Sequence, residues 1–198
     1  MLEARDLECE RGGRALFRNL SFSVRGGELV RIAGPNGSGK TSLLRILCGL
    51  LTPAAGEVRW QGEPIRSLKE DYARQLVYLG HAPAVKDELT AGENLSATCA
   101  LAGLPASGIE QAVARFGVPL EKNVKQLSQG QRRRAALARL VVSAQVPLWL
   151  LDEPLTALDA AAAELTKELL RQHVGRGGAV AYTTHQDAGL KDSRVLEL

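Results

Sequence analysis

The spacing of apolar residues changes period along the chain. Up to Ala33, β-prone runs at Leu20–Val24 and Leu29–Ala33 are separated by the turn-forming pairs Gly12-Gly13 and Gly26-Gly27. That pattern predicts an antiparallel meander leading into a central strand. From Ser42 to Leu50 the apolar positions fall at helical spacing. Helical periodicity then dominates residues 84–140, over Ala91–Leu101, Ile109–Phe116 and Gln129–Val142, with breaks at Gly103-Leu104-Pro105 and Gly117-Val118-Pro119. Strand-like runs return at Val146–Leu151 and Ala179–Thr183, flanking a helix over Ala160–His173 and a turn at Gly175–Gly178. Strands separated by helices predict a parallel sheet with right-handed crossovers. The expected architecture is an α/β fold in one domain over residues 1–198, with a core from 1–83 and 141–198 and a helical lobe over about 84–140.

Composition narrows the class. At 198 residues and 45% hydrophobic, the chain can bury one substantial core and has little room for a second complete domain. No apolar stretch approaches the roughly 20 residues that cross a bilayer, because Arg31 and Arg45 interrupt one candidate and Asp152 and Glu153 end the other. Met1 to Asp6 lacks the basic and apolar regions of an export signal, so the protein is expected to stay in the cytoplasm. The net charge of +3 is spread over mixed segments, which argues against nucleic acid as a partner. Cys9, Cys48 and Cys99 share no metal-ligand spacing and are expected as free, largely buried thiols. No internal repeat is visible.

Three stretches carry chemistry. Gly34-Pro35-Asn36-Gly37-Ser38-Gly39-Lys40-Thr41, followed by Ser42, fits the phosphate-loop pattern and lies between a predicted strand and a predicted helix. Its glycines let backbone N–H groups converge on a phosphate, Lys40 supplies a point charge, and the Thr41 hydroxyl suits Mg²⁺. Leu148-Trp149-Leu150-Leu151-Asp152-Glu153 reads as a buried strand ending in two carboxylates. Behind a phosphate loop, Asp152 can hold the Mg²⁺ shell and Glu153 can polarise a water toward the γ-phosphate. Taken alone, the two acids are equally a helix cap or a solvated turn. Leu127-Ser128-Gln129-Gly130-Gln131 opens a basic helix, either as an ordinary N-cap or as a second anion site.

In that order and context, Leu-Ser-x-Gly-Gln resembles the signature of the ATP-binding cassette family, and the resemblance covers essentially the whole chain. Thr156-Ala157-Leu158-Asp159 looks like the family's aspartate loop, and His185 like its switch histidine. The resemblance implies a phosphate-loop NTPase with a RecA-like parallel core, an antiparallel β subdomain and a helical subdomain bearing the signature. It implies ATP and Mg²⁺, with Ser128, Gly130 and Gln131 of one copy closing over the γ-phosphate held by the other. In such a homodimer Asp159 orders the interface, His185 senses the γ-phosphate, and ATP is hydrolysed only when both copies meet.

Two positions depart from the family pattern. His81 stands where most cassettes carry a glutamine that touches Mg²⁺, and reads either as a donor to phosphate or water or as a turn residue beside Pro83. Cys9-Glu10-Arg11-Gly12 replaces the aromatic residue that stacks on adenine; Arg11 reads either as a stacking guanidinium or as a solvated turn residue. The segment Gly80-His81-Ala82-Pro83 with Lys86 to Leu95, and Thr184-His185-Gln186, is similar to the ATP-binding subunits of bacterial cytochrome c maturation systems. That similarity implies integral membrane permease subunits as partners, a peripheral place on the cytoplasmic face of the inner membrane, and a link to haem that is only indirect. The motor of another transporter, or a soluble cassette acting on ribosomes or DNA, are the rival readings; the second requires paired cassettes or long heptad arms.

Overall fold

The computed structural model describes residues 1–184, 189–190 and 192–198. Along the chain run β1 (Leu2–Arg11), β2 (Arg14–Val24), β3 (Leu29–Ala33), α1 (Lys40–Leu47), β4 (Ala55–Trp60), β5 (Glu63–Pro64), α2 (Ile65–Leu68), α3 (Glu70–Ala73) and β6 (Leu76–Leu79). They continue as α4 (Ala91–Ala102), α5 (Ile109–Arg115), a single 3₁₀ turn over Val124–Gln126, α6 (Gln129–Leu137), α7 (Arg139–Val142), β7 (Leu148–Leu151), α8 (Ala160–Gly175), β8 (Ala179–Thr183) and β9 (Arg194–Glu197).

The strands form two sheets, an antiparallel one ordered β2-β1-β4-β5 and a parallel one ordered β6-β7-β8-β3-β9. Period-2 alternation in the parallel sheet separates two cores. Val30, Ile32, Leu148, Leu150, Ala179 and Ala181 face Leu43, Leu44, Ile46 and Leu47 of α1 and the apolar side of the antiparallel sheet. Their neighbours Leu29, Trp149, Leu151, Val180 and Tyr182 face the side where Leu95, Val113, Leu137 and Leu170 of the helices pack. Helix α1 is thereby held between the two sheets.

The sequence pattern is least informative where the backbone is irregular. Strand β1 is longer than any local apolar run suggests, because its buried residues switch phase from Leu2 and Ala4 to Leu7 and Cys9 across a register shift. Asp6, with φ of +48°, accommodates that shift, and a strict alternation test fails at it. Strand β4 has only Val58 and Trp60 as large apolar residues, and β9 is a short edge strand with little buried surface; neither makes a long apolar run. The helix expected over Gln129–Val142 is interrupted at Ala138, which keeps right-handed helical geometry at φ −56° and ψ −24°. Helix α1 begins at Lys40, two residues ahead of the expected Ser42.

All three cysteines are free, and burial raises each thiol's pKa, that of Cys48 to about 11, so they stay protonated at neutral pH. Among the described residues no helix is long and apolar enough to cross a membrane.

His173, on α8, is 2% exposed and stacks on Trp149 with ring centroids 3.8 Å apart and planes 6° from parallel. Gly178 lies so close to its ring that any Cβ there would overlap the imidazole. Burial lowers the His173 pKa from 6.5 to about 4. The folded state therefore holds His173 neutral where the unfolded chain would protonate it, so its contribution is complete above about pH 6.5 and is lost as pH falls toward 4. Melting temperature is expected to fall more steeply between pH 7 and about pH 4.5 in the native chain than in His173→Gln, an outcome that thermal unfolding across that range checks directly.

Candidate functional site

Four parallel strands, β6, β7, β8 and β3, end on one edge of their sheet, and every candidate residue near the phosphate loop follows such an end. The loop leaves β3 at Gly34, whose φ is +145° and where a Cβ would lie 2.8 Å from both Ser38 Oγ and Leu198 O. It closes at Gly39, φ +106°, packed beneath Leu16 and Phe17 of β2. Only glycine fits these positions. Pro35, Asn36 and Gly37 form the exposed crest of the loop.

Lys40 is 7% exposed, and its Nζ donates to the carbonyls of Gly34 and Pro35 at 2.7 and 2.9 Å, folding the side chain back across the loop. Ser38 Oγ is buried with no hydrogen-bond partner among the described residues. Ser42 is 5% exposed in the first turn of α1, against β1 where Cys9 lies. Gly39, the N-cap of α1, offers no side-chain acceptor, so the helix begins without a protein group over its N–H donors. An unpartnered hydroxyl, an amine held by carbonyls and an uncapped helix start together fit a phosphate.

Beside the loop, Asp152 is 1% exposed and accepts from Thr41 Oγ1 at 2.9 Å and from Thr183 Oγ1 at 2.7 Å. Thr183 Oγ1 in turn accepts from the Glu153 amide at 2.9 Å. Thr41 and Asp152 thus present hard oxygen donors side by side, a set that suits Mg²⁺. Glu153 is 9% exposed, sits at φ +52°, and accepts from Thr156 Oγ1 at 2.8 Å. A non-glycine residue in that region is uncommon and marks a strained turn.

Ser128 caps α6 in a reciprocal box: its Oγ accepts from the Gln131 amide at 3.2 Å, and the Gln131 side chain accepts from the Ser128 amide at 3.0 Å. The N-cap reading is met, and the box leaves the amides of Gln129 and Gly130 outside it at the start of the helix. Gln131 is turned back on its own helix. A Cβ at Gly130 would lie 3.4 Å from the carbonyl of Ala157, which places the start of α6 against the loop leading to Asp159. Asp159 caps α8 through Ala162 N at 2.8 Å and pairs with Arg134 of α6 at 3.1 Å.

His81 is exposed and lines a cavity of about 370 Å³ with Gln129, Arg132, Arg133, Thr156 and Ala157. Arg11 is exposed at the tip of the β1–β2 hairpin, paired in register with Arg14. His185 lies outside the described residues. Two contributors carry no motif of their own. Thr183 ends an apolar strand with a hydroxyl, and Arg133 shares a helical face with Leu137 and Leu140, both fully buried; a polar group on an otherwise apolar face is the only sequence mark of either. Burial lowers the Arg133 pKa, against the opposing pull of Asp152 and Glu153.

Residues 17–156, from within β2 past the phosphate loop, α6 and the paired acids, match the family described as ABC transporter. The chain belongs to the ABC transporter family. It is therefore an ATP-binding and ATP-hydrolysing subunit of the ABC type. Two relatives, both "Cytochrome c biogenesis ATP-binding export protein CcmA", are each 54% identical. The one from Nitrosomonas europaea aligns over 94% of this chain and 89% of its own, and the one from Aromatoleum aromaticum over 95% and 90%. The solved "Dimeric Structure of MJ0796, a Bacterial ABC Transporter Cassette" superimposes with a TM-score of 0.86 at 26% identity, covering all of this chain and 94% of that one. ABC ATPases dimerise and partner with membrane permeases.

Thr183→Val removes the hydroxyl that serves both the Glu153 amide and Asp152. With two buried hydrogen bonds lost, this ABC subunit is expected to lose about 1–3 kcal/mol of stability, read as a lowered midpoint in equilibrium denaturation, and Thr183→Ser to lose less.

Proposed function

We propose that this chain is the ATPase subunit of a cytochrome c maturation export complex, a peripheral subunit on the cytoplasmic face of the bacterial inner membrane that powers integral permease partners. The run of hydrogen bonds Thr41–Asp152–Thr183–Glu153 carries the chemical reading, because it joins the phosphate loop to a carboxylate through groups that tolerate little displacement. The extensive identity to proteins named for cytochrome c biogenesis supports the choice of system. Haem enters only through the membrane partners.

Two copies pair head to tail, each closing the start of its α6 over nucleotide held by the other. Gly34 to Ser42 cradle the phosphates, with Lys40 released from its two carbonyls to meet the γ-phosphate. Thr41 and Asp152 would hold Mg²⁺, which when bound would neutralise charge on the phosphates. Glu153 polarises the attacking water for in-line displacement. Ser128 and the amides of Gln129 and Gly130 receive the γ-phosphate of the partner's ATP, while Gln131 holds Ser128 in place. His81 and, by its place in the sequence, His185 respond to the γ-phosphate; Arg11 lies at the base end of the site, and Asp159 orders the interface.

Residues 84–140 form the lobe through which closure reaches the permease, and His81 to Leu95 form its docking segment. Asn94 supports this, accepting from the Lys86 amide at 2.7 Å and donating to the carbonyls of Lys86 and Thr90 at 3.0 and 2.9 Å, which pins that segment to α4.

Glu153→Gln is expected to keep MgATP binding while turnover falls about 10²–10⁴-fold and an ATP-bound dimer accumulates in light scattering; ordinary turnover would remove Glu153 from its role. Lys40→Ala is expected to weaken ATP binding about tenfold to a hundredfold in a titration, and unchanged affinity would sink the loop assignment.

A further inference from the structure

One guanidinium ties the start of α6 to both strand ends that hold the reactive groups. Arg133 Nη1 donates to the carbonyls of Gly80 and His81 at 2.9 and 3.1 Å, and Nη2 to those of Asp152 and Glu153 at 2.8 and 2.7 Å. Strands β6 and β7 are neighbours, with Leu79 opposite Leu151, so the four carbonyls belong to adjacent turns. The planar fork of an arginine can serve both pairs at once. Arg133 is only 7% exposed, and desolvating a guanidinium is costly when an apolar residue could fill the same stripe beside Leu137 and Leu140. Packing alone does not call for a cation here.

Arg133 lies within α6, whose N-terminal turn holds Ser128 and Gly130, so the helix start and the guanidinium move as one body. Its acceptors flank the strained turn at Glu153, φ +52°, and the turn that presents His81. We infer that Arg133 is a positioning residue that sets the Glu153 carboxylate and the His81 turn according to where α6 sits. Closure of α6 over the partner's nucleotide is then reported to the subunit's own site, and the two sites of the dimer are coupled through one side chain. The inference rests on the role given above to Glu153.

The test uses the full chain in complex with its membrane partners and follows turnover against MgATP concentration. Arg133→Gln is expected to lower kcat about tenfold or more and leave KM within about twofold, because substrate contacts are untouched. Its Hill coefficient is expected to fall toward unity from a native value above it, and Arg133→Lys to recover part of both losses by serving one pair of carbonyls. A merely structural role would lower the melting temperature without separating kcat from KM or changing cooperativity. Native kcat and cooperativity in both variants, a native Hill coefficient of unity, or parallel losses of kcat and nucleotide affinity would each overturn the inference. Should Arg133→Gln fail to fold, Arg133→Lys decides: reduced cooperativity at native melting temperature supports the coupling, and native cooperativity overturns it. Glu153→Gln measured alongside separates the two readings. Turnover in that variant removes the basis for both, whereas a dead Glu153→Gln beside a fully active Arg133→Gln overturns this inference alone.

Discussion

The carboxylate of Asp152 is the point at which the rest of the site is fixed. A nearly inaccessible acid must be fully hydrogen-bonded to remain where it is, and its partners come from two different elements, Thr41 on α1 and Thr183 at the end of β8. Satisfying that one group brings the phosphate loop, the acid strand and the neighbouring strand into register. The Glu153 amide, bonded to the same threonine, then has little choice of position. Site geometry follows from a desolvation constraint before any substrate is considered.

The same logic extends outward at lower cost. Around the acid, strand ends are held by backbone carbonyls turned toward Arg133, and the helix that supplies this cation also supplies the second anion site. Fold and mechanism share their supports. The parallel sheet contributes rigidity because each of its faces is buried in a separate core, so its carboxyl edge cannot tilt without disturbing Trp149 and Tyr182 on one side and Leu148 and Leu150 on the other.

Much of this was legible in the residues. The phosphate loop, the apolar strand ending in Asp152 and Glu153, and the capped helix at Ser128 are local patterns whose spacing carries their chemistry. Contacts distant in sequence were not. Thr183 meets Asp152 from 31 positions away and Arg133 meets Gly80 from 53, and no periodicity encodes either. Strand β1 shows no continuous alternation because a register shift at Asp6 inverts the pattern, and β9 is a short edge strand largely exposed to solvent. Gln131 adds a contact that its motif does not spell out: its side chain accepts from the Ser128 amide and closes the cap on that residue. Motifs report which residue types are present, and only the fold reports what each is already bonded to.

At the opposite edge of the sheet, the stacked pair of His173 and Trp149 is shut in by Gly178, where not even a methyl group fits. Positions 173 and 178 are consequently locked in their choices. A larger residue at 178 is admissible only if the imidazole is replaced by something smaller, so the two form a single unit under substitution. A change at either position therefore has to be answered at the other, and the helix carrying position 173 is tied in sequence choice to the turn that opens β8.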